Sequence, residues 1–230
     1  MLINGFQKLT LLDFPGKVAC IVFTPGCNFR CPFCHNASLV THIDTDLYIQ
    51  PEDVISYLNK RRGLLDGVVI TGGEPLLQDG IEDFISEIKK IGYSVKLDTN
   101  GSFPEKLISL VEKGLVDYVA MDIKNSREKY ALTAGAEKLE IAAVEKSVEF
   151  LLQNKIEYEF RTTVVDKFHT VEDIQDIVEW INGAHKYFLQ NFKDSGDLIG
   201  DGMGAVSLDT LEEMKKKATE ILPFVEIRGI

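Results

Sequence analysis

No stretch of the sequence comes near the roughly 18 consecutive apolar residues that a membrane-spanning helix requires, so a bilayer-embedded protein is not expected. The amino terminus, Met1-Leu2-Ile3-Asn4-Gly5, has neither the basic start nor the apolar run of a signal peptide, and the chain reads as cytoplasmic. Positive charge is in deficit: 25 Lys and Arg stand against 36 Asp and Glu, a formal charge of −11. That balance argues against a sequence-independent grip on nucleic acid, which depends on basic side chains neutralising phosphates. Cysteine is scarce as well, yet three of the four cysteines fall within eight positions. A disulfide framework is not expected in a cytoplasmic protein of this size. Clustered thiols in that compartment point instead to metal or redox chemistry. No linker-like or low-complexity run interrupts the chain, so residues 1–230 read as a single domain, long enough to enclose a core.

What the sequence does contain is an alternation of short β-branched runs with longer helical stretches. Strands are expected at 17–24, 67–71, 93–98, 116–124, 156–165 and 186–192, with a further terminal strand at 223–227. Helices are expected at 51–61, 80–91, 104–113, 137–153, 171–181 and 208–221. Six strand-then-helix units imply a parallel sheet with right-handed crossovers, either open and doubly wound or curved into a partial barrel. Side-chain parity favours the barrel. Ser94, Lys96 and Asp98 share one face of their strand, Ala120, Asp122 and Lys124 of the next, and Glu157, Glu159, Arg161 and Thr163 of a third. Strands of an open parallel sheet are buried on both faces and read as apolar. Three consecutive strands with a charged face suit a polar lumen, hence an α/β partial parallel (β/α)6 barrel with chemistry at its strands' carboxyl ends.

The cysteines lie at such an end. Cys27-Asn28-Phe29-Arg30-Cys31-Pro32-Phe33-Cys34 follows the first expected strand, with gaps of three residues and then two and no fourth cysteine downstream. A structural zinc site takes four ligands, which here requires His35 or His42 to complete a zinc knuckle. Fully ligated iron–sulfur clusters also take four. Three thiolates leave one iron open to bind and reduce a substrate. Cys20, alone within a strand, reads as a small buried hydrophobe.

The three-then-two spacing, with aromatic Phe33 before the last cysteine, is similar to the signature of the radical S-adenosylmethionine superfamily. The wider segment Thr10–Asn36, TLLDFPGKVACIVFTPGCNFRCPFCHN, resembles the glycyl-radical-enzyme activases, and among them most the activators of anaerobic ribonucleoside-triphosphate reductase. The resemblance implies that Cys27, Cys31 and Cys34 hold a [4Fe–4S] cluster that cleaves S-adenosylmethionine reductively to a 5′-deoxyadenosyl radical. An electron from flavodoxin or ferredoxin drives the cleavage. The radical then takes hydrogen from a backbone glycine of the partner enzyme, and no side chain acts as a catalytic base. Gly72-Gly73-Glu74, at the end of the second expected strand, resembles the element that receives the methionine amino group, its glycines admitting a ligand close to the backbone. By the same likeness Asp122 and Lys124 contact the cofactor, Lys124 facing its carboxylate; the alternative is that the two form a mutual ion pair at a strand end. Asp98, Thr99 and Asp122 would frame a monovalent cation, and Phe33 and His35 would lie beside the adenine. Some activases carry a histidine at the end of the sixth strand; Phe192 stands here, with Gln190 available for a polar contact. His42, His169 and His185 match no motif and read as loop residues.

The resemblance leaves other specificities open: a pyruvate formate-lyase activator, a deazapurine-forming radical enzyme, or a non-catalytic zinc-stabilised module. Past the sixth strand, the acidic and glycine-rich run Asp194–Gly204 reads either as a plain connector or as a flap that moves when a partner's glycine loop enters.

Overall fold

The structure is a computed structural model, and it describes residues 1–229. Eight strands, β1 (Gly5–Thr10), β2 (Ala19–Thr24), β3 (Gly67–Gly72), β4 (Ser94–Thr99), β5 (Tyr118–Asp122), β6 (Glu157–Val164), β7 (Tyr187–Asn191) and β8 (Val225–Arg228), lie in one sheet in chain order. The longer helices are α2 (Pro51–Lys60), α3 (Ile81–Ile91), α4 (Pro104–Glu112), α6 (Ile141–Leu151), α7 (Val171–Trp180) and α8 (Leu208–Thr219). Two single turns, α1 (Ala37–Val40) and α5 (Tyr130–Thr133), are helical as well.

The helix starts follow local chemistry. Proline opens α2 and α4, where its missing N–H costs nothing. Thr170 and Asp173 close a capping box on α7, and the Ser207 hydroxyl caps α8. Gly92 stops α3 in a left-handed conformation at φ +108°. The helix expected over 137–153 begins only at Ile141; its forward stretch carries no side-chain cap.

The chain divides into two compact units that interleave in sequence: Met1–Asn28, Ser38–Thr99 and Phe103–Val119, and then Phe29–Ala37, Asn100–Ser102 and the chain from Ala120 onward. In the first unit β2 runs parallel to β3 and β3 to β4; β2 and β3 are nearly continuous buried apolar runs, while β4 alternates apolar Val95 and Leu97 with Ser94, Lys96 and Asp98. Phe14, Ala19, Ile21, Val69 and Tyr118 form its core beneath the sheet, with Phe23 against them. β1 is the strand the sequence reading missed. It pairs antiparallel with β2, is interrupted by a bulge between Gln7 and Thr10, and keeps three consecutive residues exposed. Such a polar edge strand has no apolar period to betray it. In the second unit β6, β7 and β8 are parallel, so the expected terminal strand is real. Two pairs of its buried polar groups answer each other: Tyr187 donates to the Thr162 hydroxyl at 2.8 Å, and Asn125 to Thr133 at 2.8 Å.

Candidate functional site

In the first unit, the segment leading into Cys27 and the Gly-Gly-Glu turn are zipped together. The Gly73 N–H donates to the Thr24 carbonyl at 2.8 Å and the Glu74 N–H to the Gly26 carbonyl at 2.8 Å. A Cβ on Gly73 would sit 1.9 Å from the Gly26 oxygen, and Gly72 adopts φ +114°, so no other residue fits either position without moving backbone. One close approach that these glycines permit is to the segment leading into the cysteine loop.

Glu74 is fully buried. Its Oε1 accepts from the Leu76 N–H at 3.0 Å and the Thr99 hydroxyl at 2.9 Å, capping the short 3-10 turn Pro75–Leu77. A buried carboxylate held in this way is a preorganised acceptor for a cation. Asp98 forms an ion pair with the buried Lys96. Asp98 and Thr99, two of the groups expected at a monovalent cation, are thus engaged with protein partners.

In the second unit the middle of the cysteine loop is clamped on both sides of Cys31. The Arg30 N–H donates to the Ala134 carbonyl at 3.0 Å, and the Cys31 Sγ lies 3.7 Å from the same oxygen. Gly135 has φ +58°, and a Cβ there would stand 2.1 Å from the Arg30 oxygen. On the far side, the Gly200 N–H donates to the Pro32 carbonyl at 2.9 Å. The Asp194–Gly204 segment is therefore tied to the cysteine loop as a strap would be. Asp166 holds its end, accepting from the Gly204 N–H at 2.8 Å. Nothing in the Cys27–Cys34 motif announces either clamp; a glycine flanked by small residues, as in Ala134-Gly135-Ala136, is the one visible signal.

The Phe33 ring is buried against Phe168 and His169, with centroids at 5.8 and 6.4 Å, so it packs the loop down. His35 is exposed and stacks on the buried Phe192 at 5.6 Å. His169 does lie in a loop, but it is buried rather than an ordinary surface residue. Its Nδ1 accepts from the Val165 N–H at 3.1 Å, which leaves Nε2 to donate to the Lys124 carbonyl at 2.8 Å. Burial lowers its pKa, favouring the neutral ring that this arrangement requires.

Asp122 carries the strongest local electrostatics. Lys124 Nζ lies 3.0 Å from one of its oxygens and Arg161 Nε 2.9 Å from the other. The mutual ion pair is real, and Arg161 joins it. Burial would raise the Asp122 pKa, but the Arg161 and Lys124 cations outweigh it and hold it down to about 2. Burial works against the charge on Lys124 too, and the Asp122 carboxylate more than restores it, so its pKa is raised. The triad keeps one net positive charge, an arrangement suited to an anionic group. Sequence reasoning placed Arg161 on the polar face and gave it no role; only its distance to Asp122 supplies one.

Cys20 is fully buried in β2, and burial pushes its thiol up to about 12, which favours the protonated form of a small buried side chain. Cys27, Cys31 and Cys34 are in no disulfide. Among the described residues no three His, Cys, Asp or Glu side chains converge as they would around a single ion. Thiolates are the soft donors that an iron–sulfur cluster takes, so the chemistry of these residues suits one. No helix among the described residues is long and apolar enough to cross a membrane.

The model of the radical SAM superfamily matches residues 21–181. A Methanocaldococcus jannaschii protein, provisionally named a glycyl-radical enzyme activating enzyme, is 32% identical over 235 residues, spanning 100% of this chain and 96% of its own length. The pyruvate formate-lyase-activating enzyme of Listeria monocytogenes is 34% identical over 134 residues, covering 53% of this chain and 52% of that one. Among solved structures, Streptococcus suis SuiB superimposes with a TM-score of 0.69 at 15% identity, over 90% of this chain and 48% of SuiB, a likeness of fold. That fold is the α/β partial barrel expected from strand parity. With a family model fitted across most of its length and a relative aligned from end to end, the chain belongs to the radical SAM superfamily, whose members work with a [4Fe–4S] cluster and S-adenosylmethionine.

Proposed function

We propose that this chain is the activating enzyme of a glycyl-radical enzyme, and that its partner is the anaerobic ribonucleoside-triphosphate reductase. The observation that carries the activase reading is the end-to-end alignment, at 32% identity, with a protein named for that activity. The choice of reductase rests on the Thr10–Asn36 segment.

In this reading Cys27, Cys31 and Cys34 ligate the cluster, and flavodoxin or ferredoxin supplies its electron in the cytoplasm. When bound, the cluster and S-adenosylmethionine together supply a one-electron cleavage that yields a 5′-deoxyadenosyl radical. The protein's part is binding and orientation. Glu74, desolvated and already fixed by Leu76 and Thr99, receives the cofactor's ammonium. Lys124, held by Asp122, receives its carboxylate. Arg161 takes half of the Asp122 charge and so leaves Lys124 partly uncompensated. Gly72 and Gly73 set the Glu74 turn against the approach to Cys27, while Phe33 and His35 flank Cys34 toward the adenine. Asp98, Thr99 and Asp122 would frame a monovalent cation with acceptor sites left beside their present partners.

The test is anaerobic reconstitution followed by electron paramagnetic resonance on candidate partners. A glycyl-radical signal on the reductase, dependent on S-adenosylmethionine and reductant, is expected. Cofactor cleavage with no radical on any glycyl-radical enzyme would instead mark a small-molecule radical enzyme.

A further inference from the structure

The carboxyl ends of β6, β7 and β8 enclose a pocket of about 190 Å³, to which no ligand has been given above beyond the cofactor contacts considered for His35 and Gln190. Thr163 lies opposite Gln190 and Gln190 opposite Arg228, so strand parity sets the three side by side on one face. His35 and Lys193 close the sides, and Gly229 turns the chain away at φ +84°. Asn191 also lines the pocket but alternates to the other face, where its amide donates to the Val206 carbonyl at 3.2 Å.

We infer that this pocket is a subsite for an oxyanion, a carboxylate or a phosphate, carried by the substrate. Three observations converge on that chemistry. Arg228 is immobilised: it forks onto both oxygens of the buried Glu159 at 2.9 and 3.1 Å and lies 3.3 Å from the Phe188 ring centroid. A guanidinium has five N–H donors in a rigid plane, so donors remain to be offered without an ordering cost. Glu159 offsets the Arg228 charge, and the exposed ammonium of Lys193 supplies a net positive one. Finally, none of the described lining residues has an acidic side chain, in a chain whose formal charge is −11. Gln190 and Thr163 add neutral donors beside Arg228. A pocket lined mainly by donors, with one uncompensated cation, binds an acceptor-rich anion.

The oxyanion chemistry does not depend on the activase reading; the carrier does. Under that reading the carboxylate belongs to the partner protein, and a phosphate would point to a nucleotide substrate. The experiment is anaerobic equilibrium dialysis of the cluster-loaded protein with [32P]phosphate and, separately, [14C]succinate. One saturable site is expected, and the preferred probe names the carrier. Arg228→Leu would strand the buried Glu159 and threaten the fold, so the informative variants are Lys193→Ala and Gln190→Leu. Lys193→Ala should weaken the site roughly ten-fold or more and Gln190→Leu several-fold, with Lys167→Ala and the affinity for S-adenosylmethionine unchanged. Absence of saturable binding, or wild-type binding in both variants, overturns the assignment. An equal loss of cofactor affinity also overturns it, by giving the pocket to the cofactor. If no glycyl radical forms on any partner while dialysis still finds the site, the activase reading has failed and this one stands.

Discussion

Glu74 shows how one side chain carries two duties whose effects must be separated. It caps a turn through Leu76 and answers Thr99, and it is proposed to receive the cofactor's ammonium. Glu74→Gln keeps a shape that can serve both hydrogen bonds but removes the charge. It should melt within a few degrees of wild type while S-adenosylmethionine affinity, measured by titration of the cluster-loaded protein, falls at least ten-fold. Equal affinity would remove Glu74 from the cofactor's contacts. The cysteines divide more sharply. Alanine at Cys27, Cys31 or Cys34 should abolish the cluster's visible absorbance. Cys20→Ala should retain it and lose on the order of 1 kcal/mol of stability, a small buried-cavity cost. A cluster surviving in Cys31→Ala would break the ligand assignment.

At the scale of elements, the connections between strands and loops matter more than the strands themselves. Gly73 and Gly135 let one backbone lie directly on another, at Gly26 and at Arg30. Gly73→Ala forces that contact apart and should cost about 1–3 kcal/mol, the range for overpacking, or roughly 2–4 °C of melting temperature per kcal/mol. Calorimetry on the cluster-free protein reads this directly, and an unchanged melting point would mean the contact is slack. The strap Asp194–Gly204 touches the cysteine loop at Pro32. Shortening it should lower glycyl-radical formation steeply while partner-free cofactor cleavage falls only mildly. Parallel loss of both would reduce the strap to a support for the fold, and loss of neither to a connector.

For the molecule as a whole, acid should act through His169 before it reaches the carboxylates. A neutral buried imidazole with a lowered pKa binds fewer protons folded than unfolded, so stability is complete above the unfolded value of about 6.5 and is lost as pH falls below it. Asp122, held down to about 2, contributes stability that is full above its unfolded value of about 3.9 and is lost only as pH falls toward 2. Chemical denaturation of the cluster-free protein from pH 7.5 to 5 should therefore show a falling curve, and His169→Gln should flatten it. A variant curve parallel to the wild type would assign the acid sensitivity elsewhere.

Local sequence determined most of the element list, because parallel strands buried on both faces must be apolar and because proline, capping hydroxyls and glycine mark helix ends. It determined the cysteine loop for the same reason of locality: the three thiols lie within one turn-length of chain, and their spacing is a property of that segment alone. The polar faces of β4, β5 and β6 were legible from alternation, though not which charges answer each other. Tertiary structure decided the remainder. β1 is held by its partner strand rather than by its own pattern. Arg161 acquires a role only at 2.9 Å from a residue 39 positions away. His169 becomes structural through a carbonyl 45 positions away. Gly135 and Gly200 flank Cys31 only once distant loops have come to the cysteine segment. Contacts of this kind form between side chains and backbone whose separation along the chain carries no periodic signal, and only the packed chain brings them together.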